Sequence, residues 1–348
     1  MVLFQALTWE ARDVEGEHQI SIFGKTENGK SVCVTTTFDP YFFVKLPKGT
    51  TQQDVKRLYD DINRLRKDHV TGYSLTTQKD VWGFQNNEEF HFMHLNFKSL
   101  EHRRKVNSIF MYNREFQKYH VYESNIDPVL RLMHRTGIQS TGWLDSGDSC
   151  VRCHLSKTDI DLWCNEWSTL KPVERDDMAP FVVASFDIEC NSSTGKFPDP
   201  NVPDDACFQI AISLCKFGSD EPYDKTCLCF KKTDQNIEGS NIISFDTERE
   251  MLLAFKKYVN EKDIDIITGW NIFGFDLEYI YKRAAMVGCG VEFYQLGKLN
   301  DTECHLVLKQ LSSSALGDNY LKLLPMAGRF IFDLFHEVKK GTSWIPIA

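Results

Sequence analysis

The chain has 348 residues, of which 42% are hydrophobic, 26% charged and 13% aromatic, and its formal net charge is -9. That length and composition suit two core-bearing domains and exclude a disordered chain, a collagen-like fibre and a disulfide-stapled mini-protein. The acidic balance argues against a protein that coats nucleic acid, so any contact with phosphate is expected to be local.

No apolar run approaches the roughly 20 residues of a membrane-spanning helix, and no basic stretch followed by an apolar core opens the chain. Neither a membrane segment nor a secretory signal is expected, and the setting is read as intracellular and soluble. The 11 cysteines are odd in number and are expected as reduced thiols. Cys150, Cys153 and His154, with Cys164 further on, have the spacing of half a zinc site or of a haem attachment, but no second ligand pair completes either, and they read as small buried residues.

In chain order, Gln19–Phe23 and Ser31–Thr35 alternate like strands about a turn at Glu27–Lys30, and Phe38–Val44 follows as an aromatic strand. Asp54–Lys67 has helical spacing, with Val55, Leu58, Ile62 and Leu65 on one face. Phe90–Phe97 reads as a strand whose His91 and His94 are strand-face histidines. A short helix is expected from Pro128, with proline in its first turn, to Gly137 at its end. A polar, proline-marked stretch from Lys171 to Ala179 marks a boundary. Beyond it, Phe181–Cys190, Phe208–Cys215 and Thr226–Phe230 read as strands. A helix opens on a Thr247/Glu250 capping box and carries Leu252, Phe255 and Val259 as its stripe. Ile264–Thr268 is a fourth strand, Asp276 opens a helix with Leu277, Ile280, Tyr281 and Ala284 on one face, and Arg329–Asp333 is a fifth strand. The order is that of a mixed α/β sheet.

The chemistry concentrates at two places. Asp187 and Glu189 flank Ile188 in an apolar strand, so they share a face, about 7 Å apart along the strand. Two carboxylates on a buried strand repel and resist ionisation unless a hard divalent cation offsets them. The second place is Ile267–Asp276, at a strand-to-helix junction, where α/β sheets present ligands. There Asp276 can serve as an N-cap, Asn271 offers an amide and Phe275 can wedge against a base or sugar. Three carboxylates without His or Cys suggest a two-metal phosphodiester site. The basic runs Arg64–Lys67 and Arg103–Lys105 are candidate phosphate contacts or simply solvated faces. Phe23–Thr26 ends like a phosphate-binding loop, but Gln19 stands where the first glycine is required.

Ser185–Cys190, followed by Phe197–Pro200 and Gln209–Ile210, resembles the first exonuclease motif region of family B DNA polymerases. Ile267–Asp276 resembles their second motif, Asn-x3-(Phe/Tyr)-Asp, and Tyr122–Asp127, Leu130–Met133 and Thr141–Trp143 are similar to the amino-terminal domain of the delta type, found in eukaryotes and large DNA viruses. The resemblance runs from about residue 1 to Lys340. It implies a ribonuclease H-like, mixed-sheet exonuclease domain over residues 176–340, behind a mixed α+β amino-terminal domain over residues 1–175. It makes Asp187, Glu189 and Asp276 ligands of two Mg²⁺ or Mn²⁺ ions. Asn271 and Phe275 would position the 3′ end of DNA for hydrolytic removal of the terminal nucleotide. The partners implied are a DNA primer-template, a single-stranded 3′ end, the remaining polymerase domains and possible engagement of a sliding clamp; the implied compartment is the nucleus.

The third exonuclease motif, Tyr-x3-Asp, and the polymerase signatures are not found in the sequence, and residues 341–348 read as a tail foreign to the family. The expectation is therefore an amino-terminal and proofreading fragment, arising from a frame break, an unremoved intervening sequence or a split gene, that cannot polymerise by itself. The alternatives are a stand-alone acidic-site exonuclease, with Asp333 or Glu337 as the fourth carboxylate, and a non-catalytic truncated DNA-binding module.

Overall fold

The computed structural model describes residues 1–234, 236–313 and 317–341. The chain opens with β1 (Leu3–Val14), β2 (Glu17–Lys25) and β3 (Ser31–Thr37), an antiparallel meander. β4 (Tyr41–Lys45), α1 (Gln52–Leu65), β5 (Val70–Lys79), β6 (Glu89–Phe97), α2 (Leu100–Tyr112) and β7 (His120–Tyr122) form a β-α-β-β-α-β module with sheet order β5-β6-β4-β7. Val55, Leu58 and Ile62 of α1 and Val106 and Ile109 of α2 pack with Phe42, Val44, Met93, Leu95 and Phe97. Thr51 and Asp54 form a reciprocal capping box that starts α1, and Leu65, expected on its apolar face, is 38% exposed in the last turn.

Helix α3 (Pro128–Thr136) has the expected ends: the Asp127 carboxylate accepts from the Val129 N–H, and Gly137 closes the helix at φ 76°. β8 (Trp143–Asp145), β9 (Cys150–Arg152), β10 (Ile160–Cys164) and β11 (Lys171–Val173) join the first meander in a seven-stranded sheet, order β11-β8-β1-β2-β3-β10-β9.

The second half is built on β12 (Val182–Cys190), β13 (Cys207–Lys216), β14 (Asp224–Phe230), β15 (Asn241–Phe245), α4 (Glu248–Glu261), β16 (Ile266–Thr268), α5 (Asp276–Met286) and α6 (Gly290–Phe293). The hairpin β17 (Val307–Ser313) and β18 (Gly317–Leu323) precedes β19 (Phe330–Ile331) and α7 (Leu334–Gly341). The six-stranded sheet has order β15-β14-β13-β12-β16-β19, with β12 antiparallel to β13 and parallel to β16. The capping box predicted at Thr247 and Glu250 is present. The α4 stripe of Leu252, Phe255 and Val259, joined by Met251, meets Leu277, Ile280 and Ala284 of α5 and the inward row Ala184, Phe186 and Ile188 of β12. Each such side chain contributes about 1.5–3 kcal/mol by leaving water, which holds both helices on one face of the sheet.

The two halves share buried ion pairs. Lys25 of β2 lies 2.5 Å from Asp265, and Lys298 lies 2.6 Å from Asp265 and 2.8 Å from Asp263. Asp265 also accepts from the Val182 N–H at 2.8 Å, so its charge is fully partnered.

Several expectations are corrected. β1 falls within the first 45 residues, which read as short strands, but its bounds were not anticipated, nor were strands β5 and β15 and helix α2, and only Phe330–Ile331 of the expected fifth strand is sheet. Cys164 faces Cys150 across β9 and β10, with their Cα atoms 4.1 Å apart. Of the foreign tail, residues 342–348 lie outside the described residues. No helix among the described residues is long and apolar enough to cross a membrane.

Candidate active site

β16 pairs with β12 only from Val183 to Ser185; the chain then turns away at Gly269 and leaves that edge of β12 open from Phe186 onward. Gly269 permits the departure, because a Cβ there would stand 2.5 Å from the Phe186 carbonyl oxygen. The turn that follows is tight: Asn271 has φ 61°, and its main-chain carbonyl accepts from the N–H of Gly274 (2.9 Å) and Phe275 (3.1 Å). Gly274 lets the Asn271 carboxamide fold over the turn, since a Cβ there would collide with Asn271 Oδ1.

Asp276 was expected as an N-cap. It is instead the first residue of α5, Phe275 holds the cap position, and no side chain caps the helix. The Asp276 carboxylate reaches sideways to the open edge of β12 and accepts from the Ile188 N–H at 3.2 Å. It is 3% exposed. Burial, and next the charge of Asp187 against which it lies, push its pKa from 3.8 to about 7.

Asp187 and Glu189 do share a face of β12, as the alternation requires, but that face is open. The helices cover the opposite face, so the premise of two acids buried along the strand is corrected. What is buried is the partner, Asp276. The structure brings Asp187 and Asp276 together, and Glu189 is exposed on the same face of β12 as Asp187. Among the described residues, no three His, Cys, Asp or Glu side chains are grouped closely enough to enclose a metal ion. The donor set itself fits a hard cation: it is all carboxylate oxygen, and two like charges in contact, one of them buried, are relieved by a divalent ion.

Phe275 is half-buried and packs against Tyr279 (centroids 5.0 Å apart) and Phe197 (5.1 Å). Phe197 is 78% exposed. It sits on the 191–206 loop, whose Phe197–Pro200 stretch belongs to the motif resemblance but was given no role of its own. Asp205 fastens that loop by accepting from the N–H groups of Ser193 (2.7 Å) and Asp199 (2.9 Å). Arg283 of α5 donates to the Val202 carbonyl at 2.8 Å and the Pro203 carbonyl at 3.2 Å while pairing with buried Glu248. Nothing in the sequence flags Arg283; a buried arginine in a helix becomes visible only with its partners.

Asp333, one of the two internal candidates for a fourth carboxylate, is taken up by main-chain groups. Asp333 is buried with both oxygens engaged: Oδ1 accepts from the N–H of Asn271 (2.8 Å) and Phe335 (3.0 Å), and Oδ2 from that of Phe273 (2.9 Å). Glu337 lies a turn further along α7. Three members of the basic runs have partners of their own. Arg103 is buried and donates to the Ile126 carbonyl at 2.8 Å, Lys105 pairs with Glu101 and Arg64 with Asp61.

A mixed sheet with an acid on its central strand and a second acid at the start of the following helix is the ribonuclease H-like framework of an acidic nuclease domain. Residues 119–344 match the family model described as DNA polymerase family B, exonuclease domain, and the chain belongs to that family. It is 30% identical over 350 residues to a DNA polymerase of Paramecium bursaria Chlorella virus NY2A, covering 96% of this chain and 37% of the relative. It is 30% identical over 347 residues to the DNA polymerase delta catalytic subunit of Dictyostelium discoideum, covering 92% of this chain and 31% of the relative. The family B DNA polymerase of the hyperthermophilic archaeon Pyrobaculum calidifontis shares the fold, with TM-score 0.66 and 21% identity over 97% of this chain and 37% of that one. The chain thus spans about a third of the length of these proteins.

Proposed function

We propose that this chain carries the proofreading site of a DNA polymerase and removes the 3′-terminal nucleotide of DNA by hydrolysis. The observation that carries the reading is the contact of Asp187 with buried Asp276 at the open edge of β12, within a family B exonuclease domain. Asp187 and Asp276, with Glu189 drawn in from the same strand face, would hold two Mg²⁺ or Mn²⁺ ions. Such ions activate water and stabilise the leaving oxygen. The chain's own part is positional. Asp276 stays protonated up to about pH 7 without a cation, and Phe275 with Phe197 offers an aromatic wall for the last base.

Residues 1–175 act in this reading as the amino-terminal domain, residues 176–340 as the exonuclease domain and residues 341–348 as a tail. The amino-terminal part contacts template single strand. DNA primer-template, the remaining polymerase domains and a sliding clamp are the partners, and the nucleus the compartment.

The test is Mg²⁺-dependent release of the terminal nucleotide from 5′-labelled single-stranded DNA, with Asp187→Ala and Asp276→Ala alongside. Hydrolysis that survives Asp187→Ala unchanged refutes the assignment. A second reading is a DNA-binding module without catalysis. DNA binding with no metal-dependent hydrolysis in the unaltered chain selects it.

A further inference from the structure

We propose that Asp333 is a positioning residue for the nuclease site, setting the turn that delivers Asn271, Phe275 and Asp276 to the open edge of β12. The inference rests on the proofreading reading above. Asp333 does not touch the acid pair. It is 2% exposed, between β19 and α7, and its carboxylate gathers three main-chain N–H groups: two from the turn, at Asn271 and Phe273, and one from α7, at Phe335. A residue that only started a helix would need the last of these alone.

The two turn contacts are the informative ones. Asn271 stands at φ 61°, where a residue with a side chain is held only if its surroundings fix it. Its N–H and that of Phe273 point inward, away from water, and a carboxylate is the acceptor that satisfies both at charge-assisted strength. The main chain repeats the arrangement, as Leu334 N–H donates to the Gly269 carbonyl at 3.0 Å and Phe332 N–H to the Ile267 carbonyl at 3.1 Å. The turn is therefore fixed at its base by strand pairing and at its tip by Asp333. Downstream, Leu277 N–H donates to the Ile272 carbonyl at 3.2 Å, so the first turn of α5, and with it Asp276, takes its position from the turn. A misplacement of about 1 Å at reacting groups costs roughly 100-fold in rate.

Two substitutions separate positioning from helix starting. Asp333→Ser retains an acceptor for the Phe335 N–H but is too short for Asn271 and Phe273. Asp333→Asn keeps the length but presents an amide donor to one of the N–H groups. The readouts are thermal stability, amide hydrogen exchange at Asn271 and Phe273, Mn²⁺ affinity by electron paramagnetic resonance, and the rate of 3′-nucleotide release, each beside Asp187→Ala. The expected result for Asp333→Ser is faster exchange at Asn271 and Phe273, at least tenfold weaker Mn²⁺ binding and at least tenfold lower kcat with KM for DNA little changed. Asp333→Asn should lose more stability and at least as much Mn²⁺ affinity. If Asp187→Ala abolishes Mn²⁺ binding while Asp333→Ser binds and cleaves like the unaltered chain, the positioning role is wrong and the site stands. If the unaltered chain and Asp187→Ala bind Mn²⁺ alike, the site reading fails, and the Asp333 inference fails with it.

Discussion

Replacing Asp276 by Asn should make the metal-free chain more stable at pH 8 while removing an acid proposed for catalysis. Unfolded, the Asp276 carboxyl ionises near 3.8; folded, it holds its proton to about 7. Between those values the folded chain binds more protons than the unfolded one, so stability falls as pH rises and the loss is complete above about pH 7. The span corresponds to about 4 kcal/mol, since each pH unit of difference is worth about 1.4 kcal/mol. Asn keeps the oxygen that accepts from the Ile188 N–H at 3.2 Å and offers Asp187 a donor in place of a second negative charge. The assay is urea unfolding of both proteins in EDTA from pH 4 to pH 8. The stability difference should be small at pH 4 and grow to several kcal/mol in favour of Asp276→Asn at pH 8. Titrating groups remote from the Asp187–Asp276 pair are common to both chains and cancel. A difference that does not change with pH would refute the reasoning, because it would mean that Asp276 is not held protonated by burial and by Asp187.

Three further outcomes follow from the same packing. Asp265→Ala takes a buried carboxylate from Lys25 and Lys298, each 3% exposed or less, and leaves them Asp263 at 3.4 and 2.8 Å, so it should cost up to about 3–5 kcal/mol, read as a drop in melting temperature; a shift of a degree or two would show that Asp265 is dispensable. Gly269→Ala drives a methyl to 2.5 Å from the Phe186 carbonyl and should destabilise by about 1–3 kcal/mol, measured by denaturant unfolding, with near-neutral behaviour counting against the tight departure of the turn. Phe197→Ala removes an exposed ring that touches Phe275 and should leave stability within about 0.5 kcal/mol. Its affinity for a single-stranded 3′ end, measured by fluorescence anisotropy in Ca²⁺, should fall by about 1–3 kcal/mol, and unchanged binding would remove Phe197 from the DNA path.

The parts of the fold that the sequence disclosed were those with strong local signals. The Thr247/Glu250 box, the Pro128 and Gly137 ends of α3 and the alternating strands β2, β3 and β12 each carry their own instruction. β1 and β5 do not. β1 is buried at Phe4–Ala6 and only half covered afterwards, and most of β5 faces water, so neither shows clean alternation. Helix α2 was masked by Arg103–Lys105, which reads as a charge run until Arg103 is seen turned inward to the Ile126 carbonyl. At the site, Asp187, Glu189 and Asp276 were legible as a set because the motif spacing carries them. Which of them would be buried was not. That depends on β16 ending at Thr268, a tertiary fact that opens one edge of β12 and gives Asp276 a strand N–H to hold. Asp333 was picked out only as a candidate fourth carboxylate under the stand-alone alternative; its partners include main-chain groups some 60 residues earlier, which no local pattern announces.

Helix α5 carries Asp276 in its first turn and, two turns on, the Arg283 that grips the carbonyls of the 191–206 loop, while Tyr279 between them donates to the Asp205 carbonyl at 2.7 Å. Acid and aromatic wall are thus mounted on one rod, like the fixed jaw of a calliper. Phe197 and Asp276 therefore take their positions from the same helix. The opposing jaw is β12 with Asp187, anchored in the sheet. The spacing of the jaws is set where rod and sheet meet, at the turn from Gly269 to Phe275.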